Sequence, residues 1–179
     1  VNIRENLIRI IRRWEADAVI SHRPWDYHPD HRATGVLTQD TAYLALVPGV
    51  CPDAPPLRKN PVYLHLQDTF KIPAPFRPDI IVPIDDVWEL KVAALHEMTS
   101  QMYEWLPWTM DMLDTVPHGE GERMKWLDAL LREWLRNPFP EETAARFGKG
   151  AVHMIEAFQI CEYGRPLSEE ELRKLFPFV

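Results

Sequence analysis

Three short apolar runs, set between helical patterns, constrain this chain most. Asp17-Ala-Val-Ile-Ser-His22, Pro61-Val-Tyr-Leu-His-Leu-Gln67 and Asp79-Ile-Ile-Val-Pro-Ile84 each suit a buried strand. Pro83 marks the third as ending there or lying at a sheet edge, because proline cannot donate to a ladder. Before the first run, Ile3, Leu7, Ile10, Ile11 and Trp14 fall at helical spacing, with Arg4, Arg9, Arg12 and Arg13 mostly on the other face. Asn2 suits the cap of that helix and Glu5 the other half of a capping box. Pro29 suits the first residue of a helix to about Leu46, and 48–60 is loop.

Further on, Leu90, Ala94 and Met98 recur at four-residue spacing and predict a helix from Val87 to Trp105. The stretch 107–121 reads as irregular and 122–135 as helix. Residues 151–162 leave strand and helix both open; as a strand, Val152, Met154, Glu156, Phe158 and Ile160 would share one face. Ser168 and Glu171 form a capping box that opens a last short helix. Strands alternating with helices indicate an α/β domain with a mostly parallel sheet, whose ligand site lies beyond the carboxyl ends of its strands.

Composition removes several function classes. The 179 residues carry a net charge of −7, which argues against a nucleic-acid partner. The longest uncharged run, Thr41 to Pro52, contains Pro48 and Gly49 and falls short of the ~20 apolar residues of a membrane span. The first residues hold no apolar signal-peptide core. Cys51 and Cys161 follow no metal spacing, and two cysteines make no disulfide scaffold, so a reducing, cytoplasmic compartment is expected. Proline at 17 against glycine at 7 predicts ordered loops rather than flexible linkers.

The loop after the first strand carries the chemistry: Arg23-Pro-Trp-Asp-Tyr-His-Pro-Asp-His-Arg32. His28 and His31 are three apart around a helix start and can project to one side. Histidine is the commonest transition-metal ligand, and its second nitrogen usually needs a carboxylate, which Asp26 or Asp30 can supply. A catalytic zinc site takes three protein ligands plus water, and this string supplies one or two. The bland alternative makes Asp26 a turn residue, Asp30 a partner of the helix dipole and both histidines surface groups.

Asp26-Tyr27-His28-Pro29-Asp30-His31-Arg32 resembles the second signature of the zinc-dependent sugar de-N-acetylases, the LmbE/PIG-L family. Pro61-Val-Tyr63, Phe76 to Val82 with Lys91, Ser100-Gln101 and Glu156-Ala-Phe158 are similar to other family segments in the same order, so nearly the whole chain is covered. The resemblance implies a Rossmann-like, mostly parallel sheet with flanking helices and a zinc ion at its end. It implies a deacetylase in which zinc-activated water attacks the acetamide carbonyl of an N-acetylated sugar or glycoconjugate, such as an N-acetylglucosamine derivative. His31 takes the place of the third metal ligand, His28 that of the group assisting the oxyanion or leaving amine, and Asp30 that of the carboxylate orienting His28. Arg23, Asp26, Tyr27 and Arg32 are the candidate substrate-binding residues, with Trp25 beside them; loop packing is the alternative for the aromatics and Arg23.

Two departures from the family pattern stand out. The first signature, an Ala-His-Pro-Asp-Asp-Glu-like loop supplying two ligands and the general base, has no counterpart before His28. Residues 1–179 are therefore expected to be the C-terminal part of one such domain, without its N-terminal strand or strands. A longer polypeptide, a separate chain or a homo-oligomer would complete it. Relatives often carry a histidine two residues before Ser-Gln; Met98 stands there, with His96 two positions earlier. A non-catalytic binding or interaction module is the competing expectation. A phosphohydrolase of the His-Asp type fits poorly, since its motif order is reversed and its fold all-helical.

Elsewhere, Trp105, Pro107 and Trp108 are expected to pack in a core or interface. His65 is read as a core or surface residue. His153 and Glu156 would face opposite ways on a strand, and Glu162 with Arg165 suits an ordinary ion pair.

Overall fold

The computed structural model describes residues 3–179, so the expected cap Asn2 lies outside the described residues. The chain forms two compact units, one made of the segments up to Val82 and from Ala157 onward, the other of Pro83–Glu156. The sheet has four strands: β1 (Ala18–Ser21), β2 (Val62–Leu66), β3 (Ile80–Pro83) and β4 (Ile155–Cys161), in the order β1-β2-β4-β3. All three apolar runs are strands, and Pro83 ends an edge strand. β1 and β2 are parallel, with Ser21 opposite His65; β4 runs antiparallel to β2, with Leu66 opposite Phe158. The fold is thus α/β, with an antiparallel member in the sheet, a common combination. The ambiguous segment is β4, and the single-face pattern expected for it gives way to burial on both sides, through Ile155, Ala157 and Cys161 as well as Phe158.

In the first unit, α1 (Ile3–Trp14) packs on α2 (Pro29–Leu44) through Ile8 and Ile11. Arg12, expected among the outer-face arginines, is instead buried. Its Nε donates to the Ala45 carbonyl at 3.0 Å, and Nη2 donates to those of Leu44 and Val47 at 3.0 and 2.7 Å. Nη1 reaches the carbonyls of Val50, Cys51 and Ala54 at 2.6, 3.0 and 2.9 Å. The last turn of α2 and the loop after it present carbonyls that no helical N–H can satisfy, and one guanidinium gathers them at the negative end of the helix dipole.

The other part of α2 is set by Gly35. A Cβ there would stand 2.8 Å from the His22 carbonyl oxygen and 3.1 Å from the Arg23 carbonyl. Only glycine lets the helix lie this close to the backbone that leaves β1. Thr41 Oγ1, 2.9 Å from Tyr63 Oη, ties α2 to β2 from within the core. The final helix, α7 (Glu169–Leu175), opens with the expected capping box between Ser168 and Glu171.

The second unit departs from the sequence reading in two places. The single helix expected over Val87–Trp105 is divided into a 3₁₀ turn (Asp85–Val87), α3 (Trp88–His96), a π-helical segment (Ser100–Trp105) and α4 (Leu106–Thr109). Leu90 and Met98, two of the residues whose spacing predicted the helix, are exposed, while Trp88 and Val92 are buried. Trp88 decides this orientation: its indole Nε1 donates to Asp128 Oδ1 at 2.6 Å, on α5 (Glu120–Trp134). Pro107 lacks an N–H and so cannot continue the regular bond pattern, consistent with the π-helical segment before it. A helix absent from the sequence reading, α6 (Pro140–Phe147), starts with Pro140 and the acidic pair Glu141 and Glu142, an ordinary helix opening. No described helix is long and apolar enough to cross a membrane.

Replacing Arg12 by Met keeps much of the stem but strands the carbonyls of Val50 and Ala54, whereas those of Leu44, Ala45, Val47 and Cys51 each keep a backbone N–H. We expect a loss of roughly 3 kcal/mol or more in urea unfolding, since each stranded buried group costs about 1–3 kcal/mol. A loss below about 1 kcal/mol would show that the carbonyls find other partners.

Candidate metal centre

His22 follows the last residue of β1, and His31 is the third residue of α2. Because Gly35 draws α2 against residues 22 and 23, the two imidazoles lie face to face, with centroids 4.1 Å apart and planes 3° from parallel. Between these positions the chain makes a tight turn. Asp26 Oδ1 accepts the His28 N–H at 2.8 Å, as an Asx turn does. Arg32 closes the turn by donating Nη1 to the carbonyls of Asp26 and Tyr27 at 2.9 and 2.7 Å. The other carboxylate oxygen of Asp26 then lies 3.1 Å from His31 Nδ1 and 4.0 Å from His22 Nδ1.

Donor atoms of His22, Asp26 and His31 all fall within 4.8 Å of one another. His31 Nδ1 is buried, and its approach to Asp26 makes no hydrogen bond, so a ring nitrogen is left without a partner at the centre of the group. An unpaired buried polar atom is costly unless something else satisfies it. Two imidazoles and a carboxylate are a donor set suited to zinc, which accepts two histidines and an acid with a position left open. The residues therefore fit a divalent transition metal.

The electrostatics point the same way. Burial pushes the His22 imidazole below its ordinary value, and the stacked His31 ring adds to this against the opposing pull of Asp26. Burial pushes the Asp26 carboxyl up, but the His28 N–H and the rings of His31 and His22 outweigh it and hold the group below the usual range. A neutral imidazole and an ionised carboxylate are the forms that bind metal. His65, in β2, supports His22 from below: its Nδ1 donates to the His22 carbonyl at 3.2 Å, and burial lowers its pKa.

The other expected site residues take varied positions. His28 caps α2, its Nδ1 accepting the Asp30 N–H at 3.2 Å, and its ring lies 4.7 Å from that of His31. Asp30 thus meets His28 through its backbone, and the carboxylate beside His31 is that of Asp26. Tyr27 is exposed, its ring 6.1 Å from both His31 and Phe70. Arg23 is buried: Nε and Nη2 each donate to Asp68 at 2.6 Å, while Nη1 and Nη2 hold the carbonyls of Ala74 and Phe70. These bonds make it a clamp on the loop beyond β2, and Arg32 is likewise engaged with loop carbonyls. His22 was not among the candidates from sequence. Its signal was position, the last residue of an apolar run, where such sheets bind ligands.

In the second unit, His96 Nδ1 lies 2.6 Å from Tyr103 Oη. Trp105 and Trp108 stack on each other with centroids 5.5 Å apart and are exposed rather than packed in a core. His153 donates its backbone N–H to Asp85 and Glu156 pairs with Lys91, so these two take separate partners. Arg165 pairs with Glu171 at 2.6 Å, replacing the expected pairing with Glu162.

No protein-family model matches the chain, and no curated protein matches it. Solved structures do. The N,N'-diacetylchitobiose deacetylase of Pyrococcus horikoshii, determined with an inhibitor, matches with a TM-score of 0.58 at 22% identity, over 90% of this chain and 51% of its own. The 4-carboxy-2-hydroxymuconate hydratase of Pseudomonas putida matches with a TM-score of 0.59 at 19% identity, over 93% and 60%. A conserved protein of Thermus thermophilus matches with a TM-score of 0.54 at 20% identity, over 89% and 58%. The chain shares the fold of these proteins and spans between half and three fifths of their length.

Two outcomes are expected. Zinc added to the metal-free chain should bind at one per chain by calorimetry; His31→Ala and His22→Ala should each weaken it at least tenfold, and Asp30→Ala by less than about threefold. Separately, the fold holds His22 and His65 neutral where the unfolded chain protonates them, below the ordinary value of 6.5. The unfolded state then binds more protons, so stability is lost as the pH is lowered. The urea midpoint should drop between about pH 7 and pH 5, and His65→Gln should flatten that slope; a midpoint constant over this window contradicts the assignment.

Proposed function

We propose that the chain carries part of a metal-dependent hydrolase that removes the acetyl group from an N-acetylated sugar or sugar conjugate. The observation that carries this reading is the group His22, Asp26 and His31, with an unpaired ring nitrogen at its centre and its place beyond β1. The resemblance of Asp26–Arg32 to a de-N-acetylase signature supports it, as does a fold shared with a diacetylchitobiose deacetylase. That fold also belongs to a hydratase, so fold alone selects no reaction.

His22, Asp26 and His31 would hold the metal. Zinc at such a site supplies Lewis acidity toward a carbonyl oxygen and toward water. Other parts of the chemistry fall to the chain's own groups. His28, with Nδ1 accepting at the helix cap, carries its ring N–H on Nε2, from which it can donate a hydrogen bond to the developing oxyanion. Tyr27 supplies an exposed ring beside both histidines for a sugar face. Asp26 orders the turn and brings a carboxylate oxygen to 3.1 Å from His31 Nδ1 and 4.0 Å from His22 Nδ1. The general base is assigned to a segment outside this chain, on a longer polypeptide or a partner subunit. A reducing, cytoplasmic setting agrees with the two free, buried cysteines Cys51 and Cys161.

The test measures acetate released from N-acetylglucosamine and N,N'-diacetylchitobiose by the zinc-loaded protein in its longest native form. His31→Ala should abolish release, and His28→Ala should lower kcat by about 10²–10⁴ with zinc content unchanged. Stoichiometric zinc without acetate from either sugar would leave the binding-module reading in its place.

A further inference from the structure

The amino-terminal end of the parallel strands opens on a second cavity, of about 530 Å³, far larger than a single ion needs and within the range of small-molecule sites. Its residues 15–17 and 58–60 precede β1 and β2, whereas His22 and Asp26 follow β1. The cavity is therefore separate from the candidate metal centre.

Its charge runs against that of the chain. In a sequence of net charge −7, the walls carry Arg12, Arg13, Arg58, Lys59 and Arg165 against Glu15 and Asp17. The cations are incompletely compensated. Lys59 and Arg165 both approach one carboxylate oxygen of Glu171, at 2.8 and 2.6 Å. Arg13 lies 3.7 Å from Asp53, which Arg9 already holds at 2.8 Å. Arg12 is matched by carbonyls, which carry no net charge.

The site is also built. The side chain of Arg165 is 12% exposed. Its backbone is fixed by a bond from its N–H to the Pro61 carbonyl at 3.1 Å and by Gly164, where a Cβ would stand 2.8 Å from both Pro61 O and Tyr63 N. Pro55 and Pro56 stiffen another wall. Among the same lining residues, Glu15 and Asp17 offer carboxylate acceptors, and Asn60 Oδ1 is a buried acceptor without a partner. A purely anionic ligand would meet repulsion there; hydroxyl groups would meet acceptors.

We infer that this cavity binds a small phosphorylated polyol of the sugar-phosphate class. The phosphate sits against Arg58, Lys59 and Arg165, and the hydroxyls donate to Glu15 and Asp17. Several cations together with carboxylate and amide acceptors in one lining match such a ligand better than they match a neutral sugar or inorganic phosphate.

Calorimetry on the full chain with glucose 6-phosphate, inorganic phosphate and glucose tests this. Glucose 6-phosphate should bind saturably, with a Kd on the order of 0.1 mM that weakens with salt. Inorganic phosphate should bind at least tenfold more weakly, and glucose should give no saturable heat. The double variant Arg58→Glu, Lys59→Glu should lose at least tenfold; should it fail to fold, Arg58→Gln alone, at an exposed side chain, should lose about threefold. His31→Ala should leave binding unchanged, which separates this site from the proposed metal centre. Absence of saturable binding, equal affinity for inorganic phosphate or glucose, or indifference to the Arg58 substitutions would overturn the assignment.

Discussion

The placement of α2 is the constraint on which the first unit depends. Two unlike devices hold this helix. At its carboxyl end Arg12, reaching across from α1, gathers carbonyls from Leu44 through Ala54. Nearer its start, Gly35 permits backbone contact with residues 22 and 23. The first is strong because the acceptors are buried and have no water to return to. The second depends on the lack of a side chain, so it fixes distance where the arginine fixes direction. Together they bring the first turn of α2 within ligand reach of His22, the residue that follows β1.

That geometry explains why the candidate centre can be so local. Three donors come from a ten-residue stretch, His22 to His31, folded by an Asx turn and closed by Arg32. Few long-range contacts are needed beyond α2 and the bond from His65 to the His22 carbonyl. The stacked imidazoles would repel each other if both were charged, and burial disfavours charge on His22 as well.

β1, β2 and β3 were legible in the sequence because each is a continuous apolar run ended by a polar or proline residue, and Pro83 even announced its edge; β4, interrupted by Glu156 and Gln159, leaves strand and helix both open. Pro29, Ser168 and Glu171 likewise announced the starts of α2 and α7. What stayed hidden depends on contacts distant in sequence. The rotation of α3 follows from Asp128, forty residues on, which accepts the Trp88 indole and turns Leu90 outward. The burial of Arg12 follows from carbonyls more than thirty residues away, so a residue with ordinary surface chemistry became a core residue. His31 and His28 could be picked out by motif, whereas the grouping of His22 and Asp26 with His31 required knowing how closely α2 lies against β1. Gly35 carries that information, but a lone helical glycine does not declare what it touches.

Arg23 shows how a motif's neighbours can mislead. An arginine beside a histidine-rich loop suits a polyol or an anion, and its position in the sequence is compatible with that. Yet four of its N–H groups are engaged, by both oxygens of Asp68 and by the carbonyls of Phe70 and Ala74, while Trp25 and Phe76 flank its plane. A cation satisfied this completely has little left to offer a ligand, but it fixes the segment after β2 against the loop that holds Asp26. The same reasoning separates it from Lys59 and Arg165, which share a single carboxylate and so keep unmatched charge. Among buried or half-buried arginines, the count of satisfied donors, more than proximity to a motif, distinguishes a clamp from a binding group.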